Sequence, residues 1–149
     1  MDGLAWQGAF VSGLAKIDQE HQALLEMLQQ LRSAIAEGAT FSQVKPQLLA
    51  CARETERHFQ HEETLMATAN HPLYLSHRAA HQNLLRHLRG VLEEVHAHPE
   101  NLTAETIEAI GALVVRHIRE EDLPMLYLLT HPAALAQQQG AELTAENVF

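Results

Sequence analysis

The sequence predicts an all-α protein: an antiparallel up-down-up-down four-helix bundle with an N-terminal arm and a short C-terminal extension. Three observations point there. Long segments repeat apolar residues at alternating steps of three and four, the spacing of a bundle core. No stretch of any length alternates apolar and polar residues as a strand would. Glycine and proline, seven and five in 149 residues, gather at a few points that divide the long segments. Short links between long helices favour antiparallel neighbours, whose axes cross at about 20°.

Residues 1–16 form an arm containing Gly3, Gly8 and Gly13. The first helix is expected from about Ile17 to Glu37 and stops at Gly38. Its seam reads Ile17, His21, Leu24, Leu28, Leu31, Ile35, so His21 takes a core slot. Thr40 or Ser42 can cap the second helix, with Pro46 tolerable in its first turn. That helix continues to about Ala69. Leu48, Ala52, Thr55, Phe59, Glu62 and Met66 lie on its seam, with Cys51, His58 and Leu65 beside it. Asn70-His71-Pro72 is a break. The third helix is expected over roughly Leu73 to Val95, before His98-Pro99, with a seam of His77, His81, Leu84, Leu88, Val91 and Val95. Thr103 caps the fourth, which reaches Glu121 or Asp122 before Pro124 and buries Ile107, Ile110, Val114 and His117. A short helical piece follows Pro124. The segment after Pro132, with Gln137-Gln138-Gln139-Gly140, reads as a loosely held tail. The bundle is therefore assigned to residues 1–131 and the tail to 132–149.

Composition excludes several classes of function. Acids outnumber bases 19 to 10, and the net charge of −9 argues against nucleic acid or an anionic membrane as partner. The start, MDGLAWQGAF, has no basic region and no long apolar core, so no secretion signal is expected. No run approaches the roughly 18 apolar residues needed to span a bilayer. The single cysteine, Cys51, rules out an internal disulfide and fits a reducing cytoplasm. A cytoplasmic monomer is the expected state. Eleven histidines exceed the lysines and arginines together.

The stretch HFQHEETLM, His58 to Met66, shows where some of them point. At about 100° per residue, His58 and Glu62 fall near the middle of the inward face. His61 and Glu63 fall on its flanks and are expected to meet water. The inward polar set is His21, His58, Glu62, His77, His81 and His117, with Asp122 near the end of the last helix. One histidine on an apolar face is usually a satisfied core residue, and a lone interior glutamate is usually paired with a base. Here that account fails by accumulation, because no inward lysine or arginine is evident as a counter-charge. A buried carboxylate without a partner costs several kcal/mol, on the order of the penalty for other unpaired buried charges. Divalent cations remove the cost by turning the carboxylates and imidazoles into ligands.

Five imidazoles and two carboxylates exceed what one ion needs. With the carboxylates and a small oxygen group bridging, they suit two octahedral ions and leave one position open. Nitrogen and oxygen donors without thiolate suit iron, manganese or zinc. A closed, cysteine-rich structural zinc site does not match. Bundle di-metal proteins pair histidines and carboxylates one turn apart in this way, but with more carboxylate. Fewer anionic ligands stabilise high-valent iron less, which favours binding dioxygen over splitting it. His117 and Asp122 are five residues apart, about 140° on a regular helix. Pro124 removes a hydrogen bond and clashes with the Glu120 carbonyl. A wide turn or π-type bulge is therefore predicted between His117 and Pro124.

Several local patterns now line up. Trp6-x-x-x-Phe10, Ser12-Gly13-Leu14 and Ile17-Asp18-x-x-His21 form an N-terminal signature. His58-Phe59-x-x-Glu62-Glu63-x-Leu65-Met66, His77-x-x-x-His81 and His117-Ile118-x-x-x-Asp122 follow in order. Over about residues 6–130 the chain resembles the hemerythrins, most closely the single-domain bacteriohemerythrins. The resemblance implies a non-haem di-iron centre, two iron ions with a hydroxo or oxo bridge. His77, His81 and His117 would bind the coordinatively full iron, and His21 and His58 the open one, where dioxygen would bind. Glu62 and Asp122 would bridge. It implies reversible dioxygen binding for transport, storage or delivery, not an enzyme, and no residue is assigned as catalytic. The rival readings are a di-iron enzyme acting on nitric oxide, peroxide or damaged iron centres, and an oxygen sensor with a separate partner. A client oxygenase or a signalling protein would be the macromolecular partner. Three residues depart from the family pattern. Glu20 stands where glutamine is common, Leu113 where tryptophan is frequent, and Val114 where a leucine commonly lines the oxygen pocket. The smaller valine is expected to admit water and speed autoxidation. His61, His71, His87, His96, His98 and His131 are read as surface or loop groups.

Overall fold

The computed structural model describes the backbone of residues 3–148 and the side chains of residues 3–141. Among the described residues there is no strand. Three rods are α1 (Ala15–Ala36), α2 (Phe41–Thr68) and α3 (Tyr74–Ala97). A fourth is built from α4 (Ala104–His117), a π-helical turn at Ile118–Asp122 and α5 (Leu123–Thr130). A further helix, α6 (Pro132–Val148), follows. α1 packs against α2 and α4, and α2 against α3; the links between successive rods are only a few residues long, so the rods run up, down, up and down. Among the described residues no helix is long and apolar enough to cross a membrane.

Local chemistry explains the boundaries. The Ser12 amide and hydroxyl both donate to the Asp18 carboxylate, and the Leu14 amide donates to Ser12 Oγ. This ties the arm to the first turn of α1, where an acid also suits the helix dipole. α1 and α2 end alike. Gly38 (φ 97°) and Asn70 (φ 51°) adopt the left-handed conformation just past each helix. In each, the next amide reaches back to a last-turn carbonyl: Ala39 to Ala34 at 2.9 Å, His71 to Met66 at 2.9 Å. Glycine has no Cβ penalty there, and asparagine tolerates the geometry better than most residues. Thr40 and Thr103 start α2 and α4 with reciprocal capping boxes through Gln43 and Thr106.

Two expectations need correction. Pro46 lies in the second turn of α2, since that helix starts at Phe41. It is tolerated because both Pro46 and Ser42 are exposed, so water can reach the carbonyl its missing N–H leaves unpaired. The segment after Pro132 is helical instead of loosely held. Alanine, leucine and glutamine are good helix formers, and proline suits a first helical position. The Gln139 amide donates to the carbonyls of Ala69 and Asn70 at 2.9 and 3.0 Å, fastening α6 to the end of α2.

The core divides in two. A larger apolar cluster includes Leu25, Leu28, Leu31, Leu48, Ile107 and Ile118, with Leu4 and Phe10 from the arm. A smaller one holds Ile17, Met66, Met125 and Leu126. The inward histidines and acids lie between them along every rod. α3 buries less of its seam than its pattern suggests: Leu84, Leu88 and Val91 are only half-buried. An open cleft of about 450 Å³ runs between α3 and α4 there, bounded by Leu84, Leu113 and His117. The Leu113 side chain leaves that seam unfilled.

Candidate metal centre

Each rod delivers its polar groups by periodicity. α1 supplies His21, α2 supplies His58 and Glu62 one turn apart, and α3 supplies His77 and His81 one turn apart. His117 ends α4, and Asp122 closes the π-helical turn. In that turn the Leu123 amide reaches the Ile118 carbonyl, five residues back. The extra residue brings Asp122 round to the face of His117, which a regular helix would not do. All seven groups are buried; His117 is the most exposed at 8%, and Glu62 and Asp122 are at 0%.

The carboxylates sit at the middle. Glu62 Oε1 lies 3.4 Å from His77 Nε2 and 3.1 Å from His81 Nε2. Its Oε2 lies 3.5 Å from His21 Nε2 and 3.4 Å from His58 Nε2. Asp122 Oδ1 is 3.0 Å from Nε2 of both His77 and His117, and Oδ2 is 2.9 Å from His21 Nε2. Two donor groups result. One joins Glu62, His77, His81, His117 and Asp122; the other joins His21, His58, Glu62 and Asp122. All five imidazoles present Nε2, and each carboxylate places one oxygen in each group.

Only His77 and His81 hydrogen-bond through Nε2 to Glu62 Oε1; most of the other converging atoms do not satisfy one another. His21 Nε2, His58 Nε2, His117 Nε2, Glu62 Oε2 and both Asp122 oxygens are buried and make no hydrogen bond. Orphaned polar atoms at this depth are rare in native proteins and point to a missing partner. The partner that suits convergent nitrogen and carboxylate lone pairs is a cation, and the donor set is of the type that iron, manganese and zinc accept.

Outside this set stand groups that periodicity missed. His61 and Glu63 were expected to meet water. Glu63 Oε2 instead accepts from His81 Nδ1 at 3.0 Å. His61, half-buried, donates to Glu20 at 2.9 Å. Glu20 is 5% exposed and also accepts from His58 Nδ1 at 2.7 Å. His71 is no surface group either. It is 4% exposed, donates to the Met125 carbonyl at 3.0 Å and accepts from the Leu73 amide at 3.0 Å. It pins the loop before α3 to α5. The one available signal was adjacency: Glu20 and Glu63 each follow or precede an inward residue directly, on the flank of a seam. His87, His96, His98 and His131 are exposed.

With only the protein's own charges acting, the carboxylates and imidazoles hold each other ionised. Burial alone would lower the His58 pKa, but Glu20 and Glu62 overturn it and hold it at about 10. Burial is likewise outweighed at His77, which Asp122 and Glu62 raise to about 9. Glu62 and Asp122 are both driven below the usual carboxylate range, in spite of burial, by the surrounding imidazoles. A raised histidine pKa stabilises the fold fully below the ordinary value of 6.5, and that stability fades as pH climbs through the folded value. Chelator-stripped protein is therefore expected to lose melting temperature from about pH 6.5 to about pH 10. Metal uptake near pH 7 should release protons, because Nε2 must be free to ligate. A melting temperature that rises across that window would contradict this charge network.

Fold and site together define an all-α bundle whose centre is suited to metal cations. The family model for the "Hemerythrin HHE cation binding domain" matches residues 12–129, and the chain belongs to that family. The Bacteriohemerythrin of Pseudomonas aeruginosa (strain LESB58) is 25% identical over 131 residues, covering 88% of this chain and 84% of the relative. That of Methylococcus capsulatus is 25% identical over 80% of this chain and 91% of its own. A crystal structure of wild-type hemerythrin superposes with a TM-score of 0.74 at 24% identity, covering 83% of this chain and 97% of the other.

Proposed function

We propose that the chain holds two iron ions on His21, His58, Glu62, His77, His81, His117 and Asp122 and binds dioxygen reversibly, for transport, storage or delivery. Residues 1–131 carry this centre and 132–149 form an appendage to it. The observation that carries the reading is an asymmetry. One donor group has five members and the other four, so the second leaves more room for a ligand.

An apolar space adjoins the centre. A cavity of about 40 Å³ is walled by Leu24, Thr55 and Val114, among others. These three lie three residues from His21, His58 and His117 on their own helices. The volume exceeds the roughly 10–15 Å³ that a single water molecule needs, and the wall is almost wholly hydrocarbon. Thr55 is occupied, donating its hydroxyl to the Cys51 carbonyl at 2.8 Å. Burial pushes the Cys51 thiol up to about 11, so it stays protonated and inert. The wall thus offers no acid or base to drive turnover, which favours binding over catalysis. When bound, the iron pair supplies the electrons that dioxygen needs to associate reversibly. Glu62 and Asp122 would hold the pair, the imidazoles would orient it, and the leucines of the cavity wall would limit the water that Val114 admits.

Mixing the reduced, iron-loaded protein with air tests this. The expected result is an oxygen-dependent absorption band that disappears under vacuum and returns with air. Rapid consumption of peroxide or nitric oxide, with no reversible band, would replace the reading with an enzymatic one.

A further inference from the structure

We infer that Glu20 is a positioning residue for the cation at the four-donor group, and that Glu63 plays the corresponding part at the five-donor group. The inference rests on the two-ion reading above. A carboxylate only accepts hydrogen bonds. At 2.7 Å, Glu20 Oε1 therefore holds the His58 proton on Nδ1, so Nε2, which faces Glu62, is the nitrogen that gives up its proton to a cation. Glu63 Oε2 does the same for His81 at 3.0 Å, so the Nε2 proton, now shared with Glu62 Oε1, is the one a cation would displace. Each group thus contains one imidazole whose tautomer is set by an anion behind it. Such partners fix ring orientation and raise the basicity of the ligand.

The two supports are unequal. Glu20 is almost wholly buried and is itself held by a second imidazole, His61, through both of its oxygens at 2.9 and 3.0 Å. Glu63 is 22% exposed and lies 3.8 Å from the Arg78 guanidinium, which offsets its charge. A buried anion acts more strongly than a half-solvated one. The four-donor group also depends more on its support, because His21 Nδ1 has no hydrogen-bond partner. Glu20 thus places a full negative charge behind the less saturated cation. The charge stabilises the more oxidised metal and lowers its reduction potential.

Cobalt(II) titration of metal-free protein against a competing chelator reads both sites without any oxygen chemistry. Wild type is expected to bind two ions. Glu20→Ala should weaken one step by about 10- to 100-fold and spare the other; Glu63→Ala should weaken the step that Glu20→Ala spares. In a His21→Ala background, Glu20→Ala should add little, since both act on one ion. Glu20→Gln keeps the acceptor oxygen, so cobalt affinity should largely return, while the reduction potential of the iron-loaded protein rises. That potential decides the matter if Glu20→Ala does not fold. Equal weakening of both steps, no weakening of either, or an unchanged potential in Glu20→Gln would overturn the inference. A wild type that fails to take up two ions would overturn the two-ion reading instead.

Discussion

Replacing Glu62 by alanine is expected to strip the protein of most of its iron and to lower its melting temperature by more than any other single ligand change. Glu62 is at 0% exposure, with one oxygen within 3.4 Å of His77 and His81 and the other within 3.5 Å of His21 and His58. It and Asp122 are the two residues shared by both donor groups. On the proposed two-ion reading, losing it removes a ligand from each cation at once, and in any case it withdraws the negative charge that faces four imidazoles. A preformed site is absent from the unfolded chain, so binding energy lost at the metals is lost from folding, on the order of 10 kcal/mol for a tightly held ion. His81→Ala touches only the five-donor group and should leave the other partly filled. Iron determination on purified variants, with thermal melts beside it, reads both effects. Wild-type iron content in Glu62→Ala would exclude this carboxylate as the shared ligand.

The second large effect concerns the π-helical turn. One alanine inserted between Glu120 and Glu121 should rotate everything beyond it by about 100°. Asp122, Met125 and Leu126, all fully buried, would swing away from the centre and from the smaller apolar cluster. Loss of both ions and a collapse in stability are the expected result. Deleting Glu121 should do the reverse of harm. It is exposed, and its removal leaves His117 and Asp122 four apart, about 40° from each other on a regular helix. The π-helical turn would revert to α with both groups still facing inward. Iron retained after the insertion, or lost after the deletion, would show that the extra residue is not what aligns them.

The wide turn illustrates what a sequence can carry. A five-residue spacing and a proline two places on were enough to locate it, because both constraints are local. The same holds for the caps at Thr40 and Thr103 and for the stop at Gly38, where φ is positive. The inward donors were legible because periodicity tells which face a residue occupies. Flank residues were not, because a residue at the edge of a stripe can turn to water or to a neighbouring helix with little change in its own pattern. Glu63 turned to His81 on α3, and Glu20 to His58 and His61 on α2. His71 lies outside any helix, so no period spoke for it. Only the folded chain sets the Met125 carbonyl beside its ring.

Sequence alone determined the rods, their ends and the faces on which the imidazoles and acids stand, since each depends on contacts within a few residues. It also determined the length of the segment between His117 and Asp122. The tertiary structure decided how those faces meet. It gathered seven donors into overlapping groups of five and four that share Glu62 and Asp122, opened the seam between α3 and α4, and put an anion behind His58 and another behind His81. Those outcomes depend on the distances between helices far apart in the chain, and on which side chains fill the space between them. No repeat along one helix encodes that.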